Sequence, residues 1–484
     1  MMTRRDFVQT TALATAGLML GSTARADQTG FPVVRIPESQ RKFKSAAVEK
    51  AIQEIQSSIG NKELAWMFGN CFPNTLDTTV DFQIVDGKPD TYVITGDIDA
   101  MWLRDSSSQV WPYLPLMKDD PQLQQMIAGV IYRQTKCILL DPYANAFYKD
   151  PNKISPWKTD FTDMKPGVHE RKWEIDSLCF PIRLAHGYWA ATGDTAPFDE
   201  NWRQAILLVL KTFREQQRKD GKGPYHFQRT TRVQTDTVAG KGYGNPAKPV
   251  GLIFSMFRPS DDATVFPFLV PSNFFAVISL RQAVIMLEQV CHDEASAVEC
   301  RLLANEVEDA LKANAIVNPN GYGDIYAYEV DAYGNFYCID DGNVPSLLSL
   351  PYIRAVQKPE KDDNKSEDWA PWNTYLNTRR FVLSKNDPYF CQGTAGEGPG
   401  GPHSGMGMLW PLGLIVEALT STDDAEIKRC LKTLQTTHAG TGFMHESFNE
   451  NDPKDFTRSW FAWANTIFGE LILKVYKDRP ELLS

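Results

Sequence analysis

The sequence has few of the features that metal, redox and nucleotide sites require. Its eight cysteines include no CxxC pair, which excludes a zinc ribbon or a thiol redox motif, while a disulfide between Cys291 and Cys300 stays open. Its seven histidines form no HExxH or HxH pattern, and no Walker loop, dinucleotide fingerprint or Gly-x-Ser-x-Gly elbow occurs. We therefore expect no cofactor and no metal.

Long basic runs are also missing. The 60 acidic residues outnumber the 50 basic ones, which gives a net charge of −10. This charge argues against a nucleic acid or an anionic membrane surface as the partner. A neutral or cationic ligand fits better, and the 11% aromatic content is consistent with an aromatic-lined cleft. The oligomeric state is not predicted.

Residues 1–26 have the features of a twin-arginine-type signal peptide. The segment Thr3-Arg4-Arg5-Asp6-Phe7 precedes a short apolar run and the small-residue site Ala24-Arg25-Ala26. We expect cleavage before Asp27 and a periplasmic or otherwise exported protein. No later apolar stretch of about eighteen residues is evident, so we expect no stable membrane insertion. Residues 27–484 are predicted to form a single domain.

From residue 106 onward apolar residues recur at helical spacing, and the predicted helices come in pairs. In most pairs the first helix is apolar nearly all round and the second is amphipathic, which is typical of an inner and an outer helical layer. Five or six such pairs predict an all-α (α/α)6 barrel, with one minor β-hairpin near the N-terminus at 78–85 and 91–94. The predicted helices are 106–116 with 121–139, 176–191 with 198–218, 273–290 with 295–315, 345–356 and 372–384, 404–419 with 425–437, and a closing helix at 457–476.

The segment 95–109 concentrates polar chemistry at the predicted start of a helix. Asp97, Asp99 and Asp105 lie within nine positions together with Trp102 and Arg104. Carboxylates accept hydrogen bonds from sugar hydroxyls, an arginine donates to them, and an indole covers the C–H face of the ring. The alternative is that Asp105 or the next residue caps the helix and Arg104 pairs with it.

Five further polar loops precede predicted inner helices, so a barrel would bring them to one face. They are 173–176, 257–262, 339–343, 398–403 and 445–448. Paired carboxylates in an aromatic pocket without a metal pattern indicate glycoside hydrolysis, in which one acid donates a proton and another activates water.

The candidate carboxyls are Asp261, Asp262 and Glu446. Asp261 and Asp262 are adjacent like charges, so one could have a raised pKa, and Glu446 lies in a polar loop that favours an ionised carboxylate. The alternatives are a helix cap for one of the two aspartates and a solvated loop acid for Glu446.

Four regions resemble glycoside hydrolase family 125, a family of metal-independent exo-α-1,6-mannosidases. They are 95–105, 257–263, 340–348, and 444–448 with 456–465. The resemblance runs from about residue 40 to 478 and implies an (α/α)6 barrel, inversion at the anomeric carbon and no metal. It also implies that the general acid is Asp262 or its neighbour Asp261, a choice the sequence leaves open, and that the general base is Glu446.

The resemblance and the polar loops together assign the remaining residues to substrate binding. The implied reaction removes a non-reducing terminal mannose from α-1,6-linked mannan or N-glycan fragments. Two alternatives are another (α/α)6 glycosidase with a different sugar specificity and a non-catalytic periplasmic glycan-binding protein. The expected substrate-binding residues are Asp97, Asp99, Trp102, Arg104, Asp105, Asp176, Arg258, Asp341, His403 and His445.

Overall fold

The computed structural model of the chain describes residues 30–319, 321–358 and 369–484. The predicted signal peptide, residues 1–26, lies outside these ranges. The described chain is mostly helical. Its α-helices are α1 (Ala46–Ser58), α2 (Lys62–Cys71), α3 (Asn74–Thr78), α4 (Leu103–Val110), α5 (Pro121–Leu140), α6 (Asp176–Thr192), α7 (Glu200–Gln216), α8 (Val270–Gln289), α9 (Glu294–Asn314), α10 (Trp372–Val382), α11 (Pro411–Thr420), α12 (Asp424–Thr436) and α13 (Ala462–Asp478).

The strands are short and belong to small antiparallel sheets of two or three strands. They are β1 (Val80–Val85), β2 (Lys88–Val93), β3 (Met101–Trp102), β4 (Ala146–Phe147), β5 (Val168–Glu170), β6 (Phe268–Leu269), β7 (Ile316–Val317), β8 (Ile325–Tyr326), β9 (Glu329–Val330), β10 (Phe336–Tyr337), β11 (Phe390–Gln392), β12 (Glu397–Pro399), β13 (Met408–Leu409), β14 (Phe448–Asn449) and β15 (Asp452–Phe456).

The helices form an inner and an outer layer. All residues of α4 and most residues of α6, α8, α11 and α13 are buried. Within this inner layer α4 packs on α6 and α13, α6 packs on α8, and α11 packs on α13. The amphipathic helices α5, α7 and α9 pack side by side outside it. The alternation of apolar and amphipathic helices in the sequence therefore corresponds to two layers.

Helix starts differ between the two layers. The outer helices begin at side-chain caps, as at Ser45, Asp120 and Asp199, where an oxygen accepts the free N–H groups of the first turn. The inner helices have no such cap, and α8 and α11 begin with Pro271 and Pro411, whose missing N–H is no loss at that position. The inner helices thus emerge directly from the loops that carry the polar segments.

The strands β1 and β2 pair antiparallel from Val80 opposite Val93 to Val85 opposite Lys88. Asp86 and Gly87 connect them with φ angles of 50° and 77°. Two positive φ angles match the right-handed twist of a tight hairpin, and Asp-Gly is the dipeptide that tolerates them. The second strand starts at Lys88, three residues earlier than expected.

Three predicted helices have other boundaries or are absent. Residues 345–356 form turns instead of a helix, because Pro345 and Pro351 lack an N–H and Arg354 has a φ of 63°. The helix expected at 404–419 begins only at Pro411, because Gly405 and Gly407 adopt positive φ. The helix expected at 457–476 begins only at Ala462, because residues 457–461 form bends and irregular structure.

Helix α8 is long and apolar enough to cross a membrane by length and composition. This corrects the expectation that no such segment follows the signal peptide. However, 78% of its most apolar window is buried in the fold, between α6 and α9. Its apolar character is that of a core helix.

Candidate active site

A polar cavity of about 420 Å³ lies where the loops before the inner helices converge. All but one of the polar segments singled out in the sequence supply part of its wall. The segment 173–176 lies directly behind it. The lining residues are Thr95, Ile98, Trp102, Arg104, Asp105, Pro259, Ser260, Asp261, Asn343, His403, Trp410, Glu446, Arg458 and Phe461.

A larger hollow lies elsewhere, between Tyr352, Trp372 and Leu471. Asp478 is its one acidic residue among the described lining residues, and its carboxylate pairs with Lys474. Acid–base cleavage of a glycosidic bond needs two carboxyl groups. The smaller polar cavity is therefore the candidate active site.

Asp261 presents its carboxyl group to the cavity from a tight loop. A bridge between Phe257 and Ala263 closes this loop, and Asp261 occupies its left-handed position with a φ of 67°. Its N–H donates to the carbonyl of Arg258 at 2.9 Å, and its own carbonyl accepts from Lys172 Nζ at 2.9 Å. Aspartate tolerates this backbone conformation better than most residues, but the surrounding bonds must hold it there.

Asp262, unlike Asp261, is not among the residues that line the cavity. Its Oδ1 lies 3.1 Å from Nδ1 of His403, and only 4% of the residue is exposed. Burial opposes ionisation of this carboxyl, but His403, Arg258 and Lys172 together lower the pKa of Asp262 below its ordinary value. The two adjacent aspartates, which are alike in the sequence, thus have different surroundings.

Arg104 lies at the centre of four carboxyl groups. Its Nη1 contacts Glu174 at 2.7 Å and Asp176 at 3.1 Å, its Nε lies 3.6 Å from Asp105, and its Nη2 lies 3.8 Å from Asp261. One cation cannot compensate four neighbouring negative charges, three of them buried. Burial accordingly raises the pKa of Asp105 to about 6, and it also raises the pKa values of Glu174 and Asp176.

Glu446 lies beside the hairpin formed by β14 and β15. The pairing continues one step beyond Phe448 and Phe456, through the backbone of Ser447 and Thr457. The Thr457 hydroxyl donates to Glu446 Oε2 at 3.1 Å, and Arg458 Nη1 contacts Oε1 at 3.3 Å. The hairpin register therefore places a hydroxyl and a guanidinium on the carboxylate.

Arg458 extends this arrangement to the rim of the cavity. The same guanidinium also pairs with Asp97, whose side chain is 36% exposed. The backbone carbonyl of Arg458 lies 2.8 Å from His445 Nδ1. Burial lowers the pKa of His445, and its ring stacks on Phe456 at 3.9 Å between centroids. His445 thus supports the wall from behind.

Aromatic side chains form the apolar part of the wall. The indole N–H groups of Trp102 and Trp410 are buried and have no acceptor among the described residues. A Cβ on Gly342 would lie 2.6 Å from Trp410, so glycine is required for the indole to sit where it does. Both tryptophans line the polar cavity, and buried N–H donors without an acceptor are uncommon in folded proteins.

The structure brings four of the ten predicted binding residues to the wall of this cavity. Trp102, Arg104, Asp105 and His403 line it. Asp99 is on the surface, where its carboxylate pairs with Lys153 at 2.7 Å and its side chain is 72% exposed.

Three other predicted residues are buried behind the wall. Asp176 binds Arg104, as described above, and Arg258 pairs with Glu329 at 2.6 Å. Asp341 accepts the hydroxyl of Ser260 at 2.5 Å. These residues shape the loops that carry the lining residues, and they do not face the cavity themselves.

Several lining or supporting residues were not predicted. Thr457 and Arg458 lie in the region 456–465 that resembles family 125, and Trp410 lies in the helix predicted at 404–419, but no pattern separates them from their neighbours. Asn145 and Glu174 lie next to the site because the sheet β3-β4-β5 joins three distant stretches of chain. No local signal in the sequence marks Asn145.

Among the described residues, no group of three or more His, Cys, Asp or Glu side chains is arranged to hold a metal ion. The eight cysteines, including Cys291 and Cys300, are unpaired in the structure. The polar groups of the residues that line the cavity are carboxyl, guanidinium, imidazole, indole, hydroxyl and amide groups.

Residues 61–473 match the family model described as metal-independent alpha-mannosidase. The chain belongs to glycoside hydrolase family 125. It is a glycoside hydrolase of the α-mannosidase type, and its activity needs no metal.

Two relatives from this comparison cover nearly the whole chain. This chain is 40% identical over 472 residues to the Meiotically up-regulated gene 157 protein of Schizosaccharomyces pombe. The match covers 94% of this chain and 90% of that protein. A Streptococcus pneumoniae protein, solved in a non-productive complex with alpha-1,6-mannobiose and described with a family of metal-independent alpha mannosidases, is 38% identical. It has a TM-score of 0.83 over 90% of this chain and 100% of that one.

A more distant structural likeness supports the fold alone. A bacterial glucoamylase complexed with acarbose has a TM-score of 0.52 at 13% identity, covering 91% of this chain and 58% of that one.

Proposed function

We propose that this family 125 enzyme is an inverting, exo-acting α-1,6-mannosidase that removes the non-reducing terminal mannose from mannan or N-glycan fragments. The observation that carries the proposal is that Asp261 and Glu446 line one cavity, each beside an arginine. An inverting glycosidase needs one carboxyl as acid and one as base, with room for a water between the base and the sugar. The α-1,6-mannobiose bound by the S. pneumoniae relative supports the linkage.

In the proposed reaction Asp261 is the general acid and Glu446 is the general base. Glu446 takes a proton from water while the water oxygen bonds to C1 of the mannose. The bond from C1 to the glycosidic oxygen breaks, its electron pair stays on that oxygen, and the oxygen takes the proton of Asp261. The products are β-mannose and the shortened glycan, and both carboxyls then exchange protons with solvent.

Two features favour Asp261 over Asp262 as the acid. Asp261 lines the cavity, whereas the nearest charged partner of the buried Asp262 is His403. Moreover, a general acid must keep its proton near neutral pH, and the lowered pKa of Asp262 opposes this. The negative groups around Arg104 favour a protonated carboxyl on the side of the cavity where Asp261 lies.

The remaining lining residues are proposed to hold the terminal sugar. Asp105 and Arg104 provide an acceptor and a cation, and the indoles of Trp102 and Trp410 provide two donors and apolar surface. Asp97 acts through Arg458 at the rim. For Asp99 we propose no contact with the terminal sugar, because its carboxylate pairs with Lys153 at the surface.

The decisive measurement is NMR of the first product released from α-1,6-mannobiose. Appearance of β-mannose before mutarotation is expected, and α-mannose first would contradict inversion. A panel of α-1,2-, α-1,3- and α-1,6-mannobiose with aryl glucosides and rhamnosides tests the sugar and the linkage. Free sugar released from none of them would favour the glycan-binding alternative.

We also infer that residues 27–484 form one catalytic domain whose helices close into an (α/α)6 barrel. The contacts between α4 and α13, which are the first and the last inner helices, support closure of the ring. The glucoamylase likeness supports the same helical architecture.

Export by the twin-arginine route stays a proposal that rests on residues 1–26 alone. Replacing Arg4 and Arg5 by lysine should retain the protein in the cytoplasm of the producing bacterium, as measured by fractionation. Unchanged export would contradict the proposal.

A further inference from the structure

Glu174 is a buried acid that the proposed reaction does not yet use. None of its surface is exposed, and it lies just before α6, behind the cavity wall. Its Oε2 accepts from Arg104 Nη1 at 2.7 Å and from the Ser177 hydroxyl at 2.8 Å. Because Arg104 and Ser177 both donate to this fully buried carboxyl, Glu174 occupies a defined position relative to Asp261.

Glu174 and Asp261 share two donor groups. The Asn145 amide nitrogen lies 3.4 Å from Glu174 Oε1 and 3.2 Å from Asp261 Oδ1, and Arg104 reaches both carboxyls through its two terminal nitrogens. Burial is the largest factor that raises the pKa of Glu174, and the neighbouring Asp261 raises it further. A hydrogen bond between two carboxyl groups requires one proton between them.

No other acid near Asp261 shares both groups, among the described residues. Asp105 and Asp176 contact Arg104 but not Asn145. Glu170 contacts Asn145, but its other oxygen binds Arg229 at 3.0 Å and lies 3.6 Å from Lys172, which compensate its charge.

The charged and titratable groups that face the pair come from several elements. From α4 these are Arg104 and Asp105, from the segment before α6 they are Glu170 and Lys172, and from the start of α6 it is Asp176. The phenol of Tyr225 adjoins Glu174, and Asp236 reaches the pair through Lys172. Lys172 is engaged by Asp236 at 2.7 Å, so Arg104 is the nearest cation available to both members of the pair.

We propose that Glu174 is a positioning residue for the general acid and shares a single proton with Asp261, which the cavity-facing Asp261 delivers to the leaving oxygen. This inference rests on the proposed function. In the resting enzyme the proton lies between the two carboxyls, and repulsion prevents both from ionising while Arg104 compensates one charge. When the O–H bond of Asp261 breaks and the glycosidic oxygen takes the proton, the pair becomes doubly ionised beside Arg104. One proton from solvent then restores it.

The test is the pH dependence of kcat/KM on α-1,6-mannobiose for Glu174→Gln. Without the second carboxyl, Asp261 should lose its proton more easily, so the basic limb should move down by about one pH unit or more. The acidic limb, which reports Glu446, should stay in place. Hydrolysis of α-mannosyl fluoride, whose leaving group needs no proton, should stay within about twofold of wild type.

Two further variants distinguish proton sharing from the effect of removing any buried carboxyl beside Arg104. Asp176→Asn removes an equally buried carboxyl from the same Arg104 nitrogen, and it should move the basic limb much less. Glu174→Asp retains the carboxyl and should keep the basic limb near that of wild type; this variant also carries the test if Glu174→Gln does not fold.

Three results would overturn the inference. They are an unmoved basic limb in Glu174→Gln, an equal shift in Asp176→Asn, and a loss on α-mannosyl fluoride as large as that on the disaccharide. The last would make Glu174 purely structural. A wild-type enzyme that releases no mannose from α-1,6-mannobiose at any pH would instead contradict the proposed function itself.

Discussion

The imidazole of His403 lies 3.1 Å from the carboxylate of Asp262, whereas the preceding residue, Asp261, has its carboxyl on the cavity wall. The difference arises at one backbone position, the φ of 67° at Asp261. Two neighbouring aspartates are thereby separated into a buried group that contacts His403 and a group that lines the cavity.

Asp261→Asn should lower kcat on α-1,6-mannobiose by about 10³-fold, since a positioned general acid contributes roughly 10²- to 10⁴-fold. Asp262→Asn should lower it by about tenfold or less, because this carboxylate only supports His403. Steady-state kinetics compare the two, with circular dichroism to check that both variants fold. If Asp262→Asn is the more damaging variant, the roles are reversed.

Glu446→Gln should lose activity on every substrate, because the base acts on water and not on the leaving group. We expect a fall of about 10³-fold on both α-1,6-mannobiose and α-mannosyl fluoride. Asp261→Asn, by contrast, should retain most of its turnover of the fluoride. If the two variants lost turnover of α-mannosyl fluoride to the same extent, the assignment of Asp261 as acid and Glu446 as base would be wrong.

Gly96→Ala should destabilise the rim of the cavity. The residue has a φ of 131°, and an added Cβ would lie 2.9 Å from the ring of Trp460. Strain and overlap should cost about 1 to 3 kcal/mol in the free energy of unfolding and raise KM, because Asp97 follows directly. Gly87→Ala is the matched control: its φ is 77° but the space around it is open, so only the smaller backbone cost is expected. Chemical denaturation and initial rates measure both effects, and identical results for the two variants would count against a tight contact with Trp460.

Dialysis against EDTA should leave kcat and KM on α-1,6-mannobiose unchanged, as family membership implies. Adding Ca²⁺ or Zn²⁺ afterwards should also have no effect. A loss of activity that a divalent ion restores would place this chain apart from its family.

Asp340 should make the folded state less stable as the pH rises. Burial raises the pKa of this carboxyl to about 7, against the opposing effect of the Leu347 and Leu348 N–H groups. Since the folded-state pKa is raised, the stabilisation is complete below the ordinary pKa of about 4 and is lost as the pH approaches 7.

The contribution of Asp340 is roughly 1 to 4 kcal/mol, measured by urea denaturation at pH 5 and pH 8. Asp340→Asn should be less stable overall, because it loses one acceptor, but its stability should depend less on pH. A slope identical to that of wild type would show that Asp340 ionises freely in the fold.

The sequence predicts the layered helices well, because inner and outer helices differ in hydrophobic pattern over many residues. The turns at 345–356 were mistaken for a helix, since two prolines and one positive φ outweigh an apolar composition. Helix starts near Gly405 and Gly407 were misplaced for the same reason: single backbone positions decide them.

The loops of the site were predictable, but the roles of individual side chains were not. Asp105, Arg104 and Glu446 stand in segments with unusual densities of polar residues. Choosing between Asp261 and Asp262 requires the direction of one side chain, which local sequence does not encode. Asp99 resembles Asp97 in sequence, yet Lys153 holds it on the surface.

One short segment is connected to both carboxyls of the proposed reaction, to Asp261 through Arg104 and to Glu446 through Arg458. Arg104 approaches Asp261, and Asp97 binds the arginine that holds Glu446. The segment 95–105 therefore helps to set the distance between the proposed acid, Asp261, and the proposed base, Glu446. A change in its length would alter the gap in which the attacking water must fit, even if both carboxyls were left intact.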